Sequence, residues 1–405
     1  MTDLNQPAYR WVVVIASALI LAVSMGAIVN GITAFVVPMQ EAFGWQRGTV
    51  SLINFSGIIG LAFGGMVMGR VADKRGVRPV VLFGAVMLGL TYILASFMHE
   101  PWQFYALFVF GGFFGAGAIF APVMAAVGGW FRLGAGLAIG IASAGQALGQ
   151  GGVPFGSTFL ISGFGLSGAF MATGIIMLVV LVPLALLLRP APAQTATAAA
   201  QTAMDEQDLP PVKTLIAWMS PAVVLCCTCM SVPLMHLVPL LQDKGLAPER
   251  ASSVIFVMLM AGILGRIAFG KLADIIGSLR AYMTATAWMT VMVAGFLIVD
   301  TLPTIYLYAV IYGFGYAGVM TGILVSVRML TRAEHRAGAT GTITLFGWFG
   351  HAIGGTFGGV LFDLTGAYTA TYLIAAAAGV VNLLIISTFY RRMNGPSAPL
   401  LATAS

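Results

Sequence analysis

The chain has 405 residues, of which 59% are hydrophobic and 8% charged, with a mean hydropathy of +0.97. A soluble globular protein carries about a quarter charged residues, so a water-exposed fold of this length is excluded and one polytopic membrane body is expected. The formal net charge of +6 would point to nucleic acid in a soluble protein, but here the placement of the basic residues along the chain accounts for it.

Apolar runs of roughly 20 residues, long enough to cross a bilayer core about 30 Å thick, fall first at 12–37, 50–69, 79–98, 103–127, 135–160 and 167–188. Six more follow at 215–240, 252–270, 281–299, 304–327, 338–361 and 368–390. Charged residues or Gly/Pro pairs punctuate them, so twelve transmembrane helices and an all-α membrane fold are predicted. No cleavable signal is expected, because the first run exceeds a signal peptide's apolar core and no small-residue cleavage site follows it. The three cysteines, Cys226, Cys227 and Cys229, crowd into the seventh run and cannot form a disulfide framework.

The longest non-apolar segment, 189–213, is rich in Ala, Pro, Thr and Gln and reads as a flexible cytoplasmic linker. It separates an N-terminal six-helix bundle, 1–188, from a C-terminal one, 214–405. A constant offset of 201 superposes the two: Pro38 falls on Pro239, Gly44 on Gly245, Gly64 on Gly265, Asp73 on Asp274 and Gly76 on Gly277. The same offset carries Tyr105 onto Tyr306, Gly112 onto Gly313, Gly140 onto Gly341 and Gly165 onto Gly366. One register held across most of the chain marks a duplication, and two parallel six-span repeats are the plan of a transporter that rocks its halves. With the N-terminus inside, fifteen Lys and Arg fall on one side and only Arg47, Lys244 and Arg250 on the other. By the positive-inside rule both termini are cytoplasmic.

Two loops carry a family signature. Gly69-Arg-Val-Ala-Asp73-Lys-Arg-Gly76-Val-Arg78 follows span 2, and Gly270-Lys-Leu-Ala-Asp274-Ile-Ile-Gly277-Ser-Leu-Arg280 follows span 8. Each puts an Asp near a helix end, a Gly at a tight turn and basic residues at the surface. They resemble the G-x-L-A-D-x-x-G-x-R/K loop of the major facilitator superfamily, where this loop latches two helices in the outward-open state. Phe35-x-x-Pro38 with Phe43-Gly44-Trp45-x-Arg47, Trp130-Phe131-x-x-Gly134-x-Gly136-Leu137-Ala138-x-Gly140, and Phe362-Asp363-x-Thr365-Gly366-x-Tyr368 together resemble the monocarboxylate porter branch. That branch includes lactate and pyruvate carriers and oxalate:formate exchangers.

Arg266 is the one basic residue inside a span. It lies eight residues before Asp274, roughly 12 Å of helix. At that depth an Arg costs about 2.5–3.5 kcal/mol on insertion scales, and such residues usually face a cavity or a partner. None of the thirteen acidic residues falls in the middle of a span, so an organic anion can serve as the counter-ion, docked bidentately on the guanidinium. Snorkelling to the surface, or bonding to a neighbouring carbonyl, is the competing reading. The resemblance implies that an Arg here binds the substrate carboxylate. It also marks a departure, because mammalian-type carriers have an Asp one turn earlier, where this chain has Gly262.

His351 lies about midway along span 11, with an unperturbed pKa of about 6.5 that lets it titrate near neutrality. By resemblance it replaces the second cation, a Lys, of oxalate exchangers. One permanent cation and one titratable group suit a monoanion moving with a proton, while a neutral His bonded to a carbonyl is the structural alternative. Tyr308, Tyr312 and Tyr316 recur every four residues on span 10, and Trp348 shares a face with His351. The resemblance implies that Tyr312, Tyr316 and Trp348 line a substrate cage and that Tyr316 donates to a carboxylate; packing is the plain alternative. In the N-terminal half it assigns Asn30 to a polar cage position, and Phe120 stands where a cage Tyr would be. Gln146 and Gln150 share a face of span 5, and the offset of 201 carries Gln150 onto His351; both glutamines otherwise serve as interhelical glue.

No Walker-type loop, zinc spacing or catalytic triad occurs in the sequence, so neither enzyme action, ATP-driven transport, a metal nor a cofactor is expected. The sequence therefore predicts a secondary active transporter of small monocarboxylates such as lactate or pyruvate, coupled to protons by alternating access. The alternative is an organic anion exchanger of the oxalate:formate type. Its expected partners are the anion, a proton and the lipid bilayer, with no nucleic acid, and the expected setting is a monomer in the cell inner membrane.

Overall fold

The structure is a computed structural model and describes residues 8–131, 133–191 and 209–394. Most of the expected linker, 192–208, lies outside the described residues. Among the described residues there is no strand, and the helices fall into twelve segments. In chain order these are α1 (Tyr9–Phe43), α2 (Arg47–Arg75), α3 (Val77–Ala95), α4 (Pro101–Gly129), α5 (135–164) and α6 (166–186). The second six are α7 (Val212–Asp243), α8 (Pro248–Ile276), α9 (Ser278–Val293), α10 (Leu302–Met329), α11 (Arg336–Thr365) and α12 (Thr369–Asn394). The predicted spans are all present, and most helices extend past the apolar run into polar ends.

Two compact units emerge. The first holds α1–α6 together with residues 332–345, the start of α11; the second holds α7–α10, α11 from Phe346 onward, and α12. In the first unit α2 and α3 pack on α4, and α1 and α3 pack along the α5–α6 pair. In the second, α8 and α9 pack on α10, and α7 and α9 pack on α12. The order of neighbours is thus repeated.

The backbone repeats as well. Among the described residues all seven with positive φ are glycines, and six of them form three pairs at the offset of 201: Gly44 with Gly245, Gly76 with Gly277, and Gly165 with Gly366. Gly76 (φ 88°, ψ 155°) and Gly277 (φ 92°, ψ 150°) open α3 and α9 in a region of backbone space that is essentially reserved for glycine. Gly165 (φ 68°, ψ −176°) lets α5 and α6 follow one another with a single non-helical residue between them.

Two spans depart from the uniform helix that their apolar runs predict: α4 carries a π-helical stretch at Gly111–Ala116, and α1 is the more irregular. Within α1, a π-helical stretch at Gly26–Asn30 passes into a 3-10 stretch at Gly31–Phe35. Two polar side chains donate to carbonyls of this stretch: Tyr92 of α3 to Ala27 O at 2.8 Å, which also accepts from Gly31 N, and Asn54 of α2 to Val29 O at 2.6 Å. A lipid-facing helix could not change its hydrogen-bond ladder in this way, because hydrocarbon offers no substitute donor.

The glycine pairs generate a test. Gly76→Ala meets no atom within 4 Å, so any loss is backbone strain, expected at about 1–3 kcal/mol. Gly151→Ala, in an equally open helical position, should be neutral or stabilising by about 0.4–1 kcal/mol. Thermal unfolding of the two solubilised variants should therefore shift in opposite directions or in the first alone.

Candidate functional site

In the second unit, α8 and α10 cross so closely that a Cβ on Gly265 would overlap the Phe314 carbonyl. That approach puts Arg266 of α8 beside Tyr316 of α10. Arg266 is 7% exposed, and its Nη1 is buried without a hydrogen-bond partner. It lies ten residues before the end of α8 at Ile276, roughly 15 Å of helix. Among the described residues no Asp or Glu pairs with it; the ionisable neighbour acting on it is the Tyr316 phenol. Neither snorkelling nor a carbonyl bond accounts for Nη1.

Tyr316 is itself 5% exposed, and its ring stacks on the fully buried Tyr312 with centroids 5.8 Å apart and planes 20° apart. The Tyr312 hydroxyl is buried without a partner. Tyr308, the third member of the stripe, donates instead to the Met292 carbonyl of α9, which is a packing role. At Gly262 an added Cβ would lie 3.0 Å from Ala317 Cβ, so the absence of an acid there goes with the tight helix crossing.

On α11, Trp348 and His351 sit with ring centroids 5.8 Å apart. His351 is half-buried, and its Nδ1 lies 3.2 Å from the Gly347 carbonyl. A carbonyl only accepts, so Nδ1 carries the proton and Nε2 is left as the basic nitrogen. His236 is different: its Nε2 lies 3.0 Å from the Gly355 carbonyl and its ring packs on Tyr368, a structural tie between α7 and α11. Cys226, Cys227 and Cys229 are buried on α7 as free thiols.

In the first unit, Asn30 closes the π-helical stretch of α1 and is half-buried, and its own carbonyl accepts from Thr33 at 2.6 Å. Phe120 of α4 is 2% exposed. Gln146 of α5 is buried at 3%, with Oε1 lacking a partner, so it does not act as glue through that oxygen. The splints at Asn54 and Tyr92 were not foreseen; each is a lone polar group in an otherwise apolar run.

The two signature loops differ in their surroundings. Asp73 is half-buried and accepts from Ala337 N at 2.9 Å and Gly338 N at 2.7 Å, the open first turn of α11. Arg70 adds a bond from Nη2 to Thr342 Oγ1 at 3.2 Å. A carboxylate at a helix N-terminus meets both unpaired N–H groups and the positive end of the helix dipole. Gly69 and Gly76 flank this Asp, and Arg78 is exposed. In the second loop, Gly270, Asp274 and Gly277 take the matching positions, and Arg280 donates through Nε to Tyr390 Oη at 2.6 Å.

The family model of the Major Facilitator Superfamily matches residues 18–232 and 219–405. Monocarboxylate transporter 13 of Rattus norvegicus is 28% identical over 398 residues, covering 96% of this chain and 91% of that protein. Monocarboxylate transporter 2 of Homo sapiens is 25% identical over 415 residues, covering 95% and 86%. Among solved structures, the human organic anion transporter MFSD10 superposes with a TM-score of 0.74 at 16% identity, covering 94% of this chain and 100% of that one. The fucose:proton symporter of E. coli superposes with a TM-score of 0.68 at 14% identity, covering 93% and 98%.

The Asp73 cap is directly testable. Asp73→Ala removes both acceptors and should lower stability by about 1–3 kcal/mol, with Asp73→Asn intermediate because it keeps one oxygen. The thermal midpoints of the solubilised proteins should follow the order Asp, Asn, Ala.

Proposed function

The chain belongs to the major facilitator superfamily, whose members are membrane transporters and not enzymes, and on that premise we propose that it carries small monocarboxylates of the lactate or pyruvate kind, coupled to protons. The observation behind this reading is the guanidinium of Arg266, buried with Nη1 unpartnered and no protein carboxylate beside it. A carboxylate fits that vacancy in both charge and geometry, because two parallel N–H···O bonds satisfy the planar fork. Tyr316, next to it, supplies an O–H donor to the same anion, and the ring of Tyr312 holds that phenol in place. The names of the relatives, monocarboxylate transporters, support the same substrate class.

The cycle follows from charge. An empty site holds a bare cation in a low-dielectric interior, which opposes closure around it. Binding of a monoanion neutralises it. His351, with Nε2 free to accept, takes the accompanying proton; Trp348 on the second unit, and Asn30, Phe120 and Gln146 on the first, are the further candidate contacts. The halves 1–188 and 214–405 then rock about the linker 189–213, with the loops at Asp73 and Asp274 exchanging partners. In this reading the protein works as a monomer in the cell inner membrane with both termini cytoplasmic, as the basic residues dictate. Exchange of organic anions is the second reading, favoured by Gly262, since α8 carries no acid one turn from Arg266 to relay a proton.

Proteoliposomes test both. Arg266→Ala should reduce lactate uptake by about 30-fold or more, the cost of about 2 kcal/mol for an unpaired charged partner, while the variant keeps its wild-type thermal midpoint. Lactate uptake retained in that variant refutes the assignment. His351→Gln should lose accumulation driven by a pH gradient and keep counterflow; wild-type uptake that requires internal anion and ignores the pH gradient selects exchange.

A further inference from the structure

One cavity in the second unit stands apart from the carboxylate reading. It is a groove of about 580 Å³ along α7, lined by Ile216, Ala217, Ser220, Pro221, Val224 and Leu225, with Phe346 of α11 as the far wall. The two helices close beneath it where Gly350 approaches the Val224 carbonyl. Lys213, Ala217, Pro221 and Val224 recur at helical spacing, so one stripe of α7 runs from an exposed ammonium into an apolar trough.

Two polar atoms interrupt the trough. Ser220 is 5% exposed and its Oγ is buried without a hydrogen-bond partner. Pro221 lies inside the helix and has no N–H to return to the carbonyl four residues earlier, at Ala217. An orphaned hydroxyl in hydrocarbon is costly unless something arrives to pair with it. Among the described residues Lys213 likewise makes no ion pair. By contrast, Arg392, at the same end of the unit, is engaged over the Trp218 ring at 5.0 Å.

We propose that this groove is a binding site for an anionic glycerophospholipid, its phosphate on Lys213, an ester carbonyl accepting from Ser220 Oγ, and an acyl chain along Ala217, Pro221, Val224, Leu225 and Phe346. The order of groups along the stripe selects this ligand. Ser220 lies seven residues beyond Lys213, roughly 10 Å along the helix, so the ligand needs a second polar group below its charge. A fatty acid places its single polar group on Lys213 and leaves Ser220 orphaned. A zwitterionic lipid fits the groove but brings a choline cation against the ammonium. Lys213 also falls on the side that the basic residues assign to the cytoplasm, the leaflet that carries anionic lipid. Because Phe346 precedes Trp348 by two residues on α11, occupancy of the groove bears on the helix that carries His351.

Native mass spectrometry of the full-length purified protein, titrated with phosphatidylglycerol, phosphatidylcholine or oleate, tests the site. The wild type should retain one phosphatidylglycerol about fivefold better than phosphatidylcholine, the ratio that one Lys near a membrane surface provides. Lys213→Gln, an exposed change that leaves folding intact, should bring that ratio to about one. Ala217→Trp should fill the trough and lose both lipids, and Ser220→Ala should weaken both while leaving oleate unchanged. The site is refuted if the preference survives Lys213→Gln, if it is removed by Arg392→Gln instead, or if oleate competes with phosphatidylglycerol on equal terms.

Discussion

A single charge buried in a low-dielectric interior without a counter-charge governs the site. Arg266 cannot shed its proton as a buried Lys can, because a guanidinium stays ionised in proteins. Its environment therefore has to be met by something else. Tyr316 helps as a dipole and a hydrogen-bonding surface, yet it carries no negative charge at neutral pH. In the proposed function the interaction that completes this group comes from the carried anion, which would set the site apart from an ordinary buried ion pair of a soluble core.

Geometry around the Arg reinforces this. Small residues at Gly262 and Gly265 bring α8 against α10, on which Tyr312 and Tyr316 stack. An acid at Gly262 would crowd Ala317 and could neutralise the guanidinium from four residues away. Close packing and an unpaired charge are thus linked at one crossing: the small side chain that permits the contact is also the one that leaves the cation unanswered.

Much of this was legible in the amino-acid order. Hydropathy marked all twelve helices, since a membrane span has to satisfy its own backbone and so shows itself as an apolar run. The repeat at 201 was visible through glycines, because a backbone conformation open only to glycine keeps that residue in both copies, as at Gly76 and Gly277. Arg266 stood out because a charge in an apolar run is rare. What stayed hidden were features set by contact between distant helices. The π-helical turn of α1 depends on Tyr92 and Asn54, which lie on other spans, and nothing in residues 26–35 alone signals it beyond two glycines. The bond of Tyr308 to α9, which separates it from its two neighbours on the stripe, is a matter of rotation about α10 that a period of four cannot resolve.

The irregular stretch of α1 has a mechanical consequence. Most kinks in a membrane helix set free carbonyl oxygens that hydrocarbon punishes, so bending there is resisted. At Ala27 and Val29 those oxygens are already held by a phenol and an amide from neighbouring helices. The rod has a joint whose flexing exposes no new acceptor to lipid, and Asn30 rides at the joint's edge, where a small change of angle moves its amide without unravelling a turn.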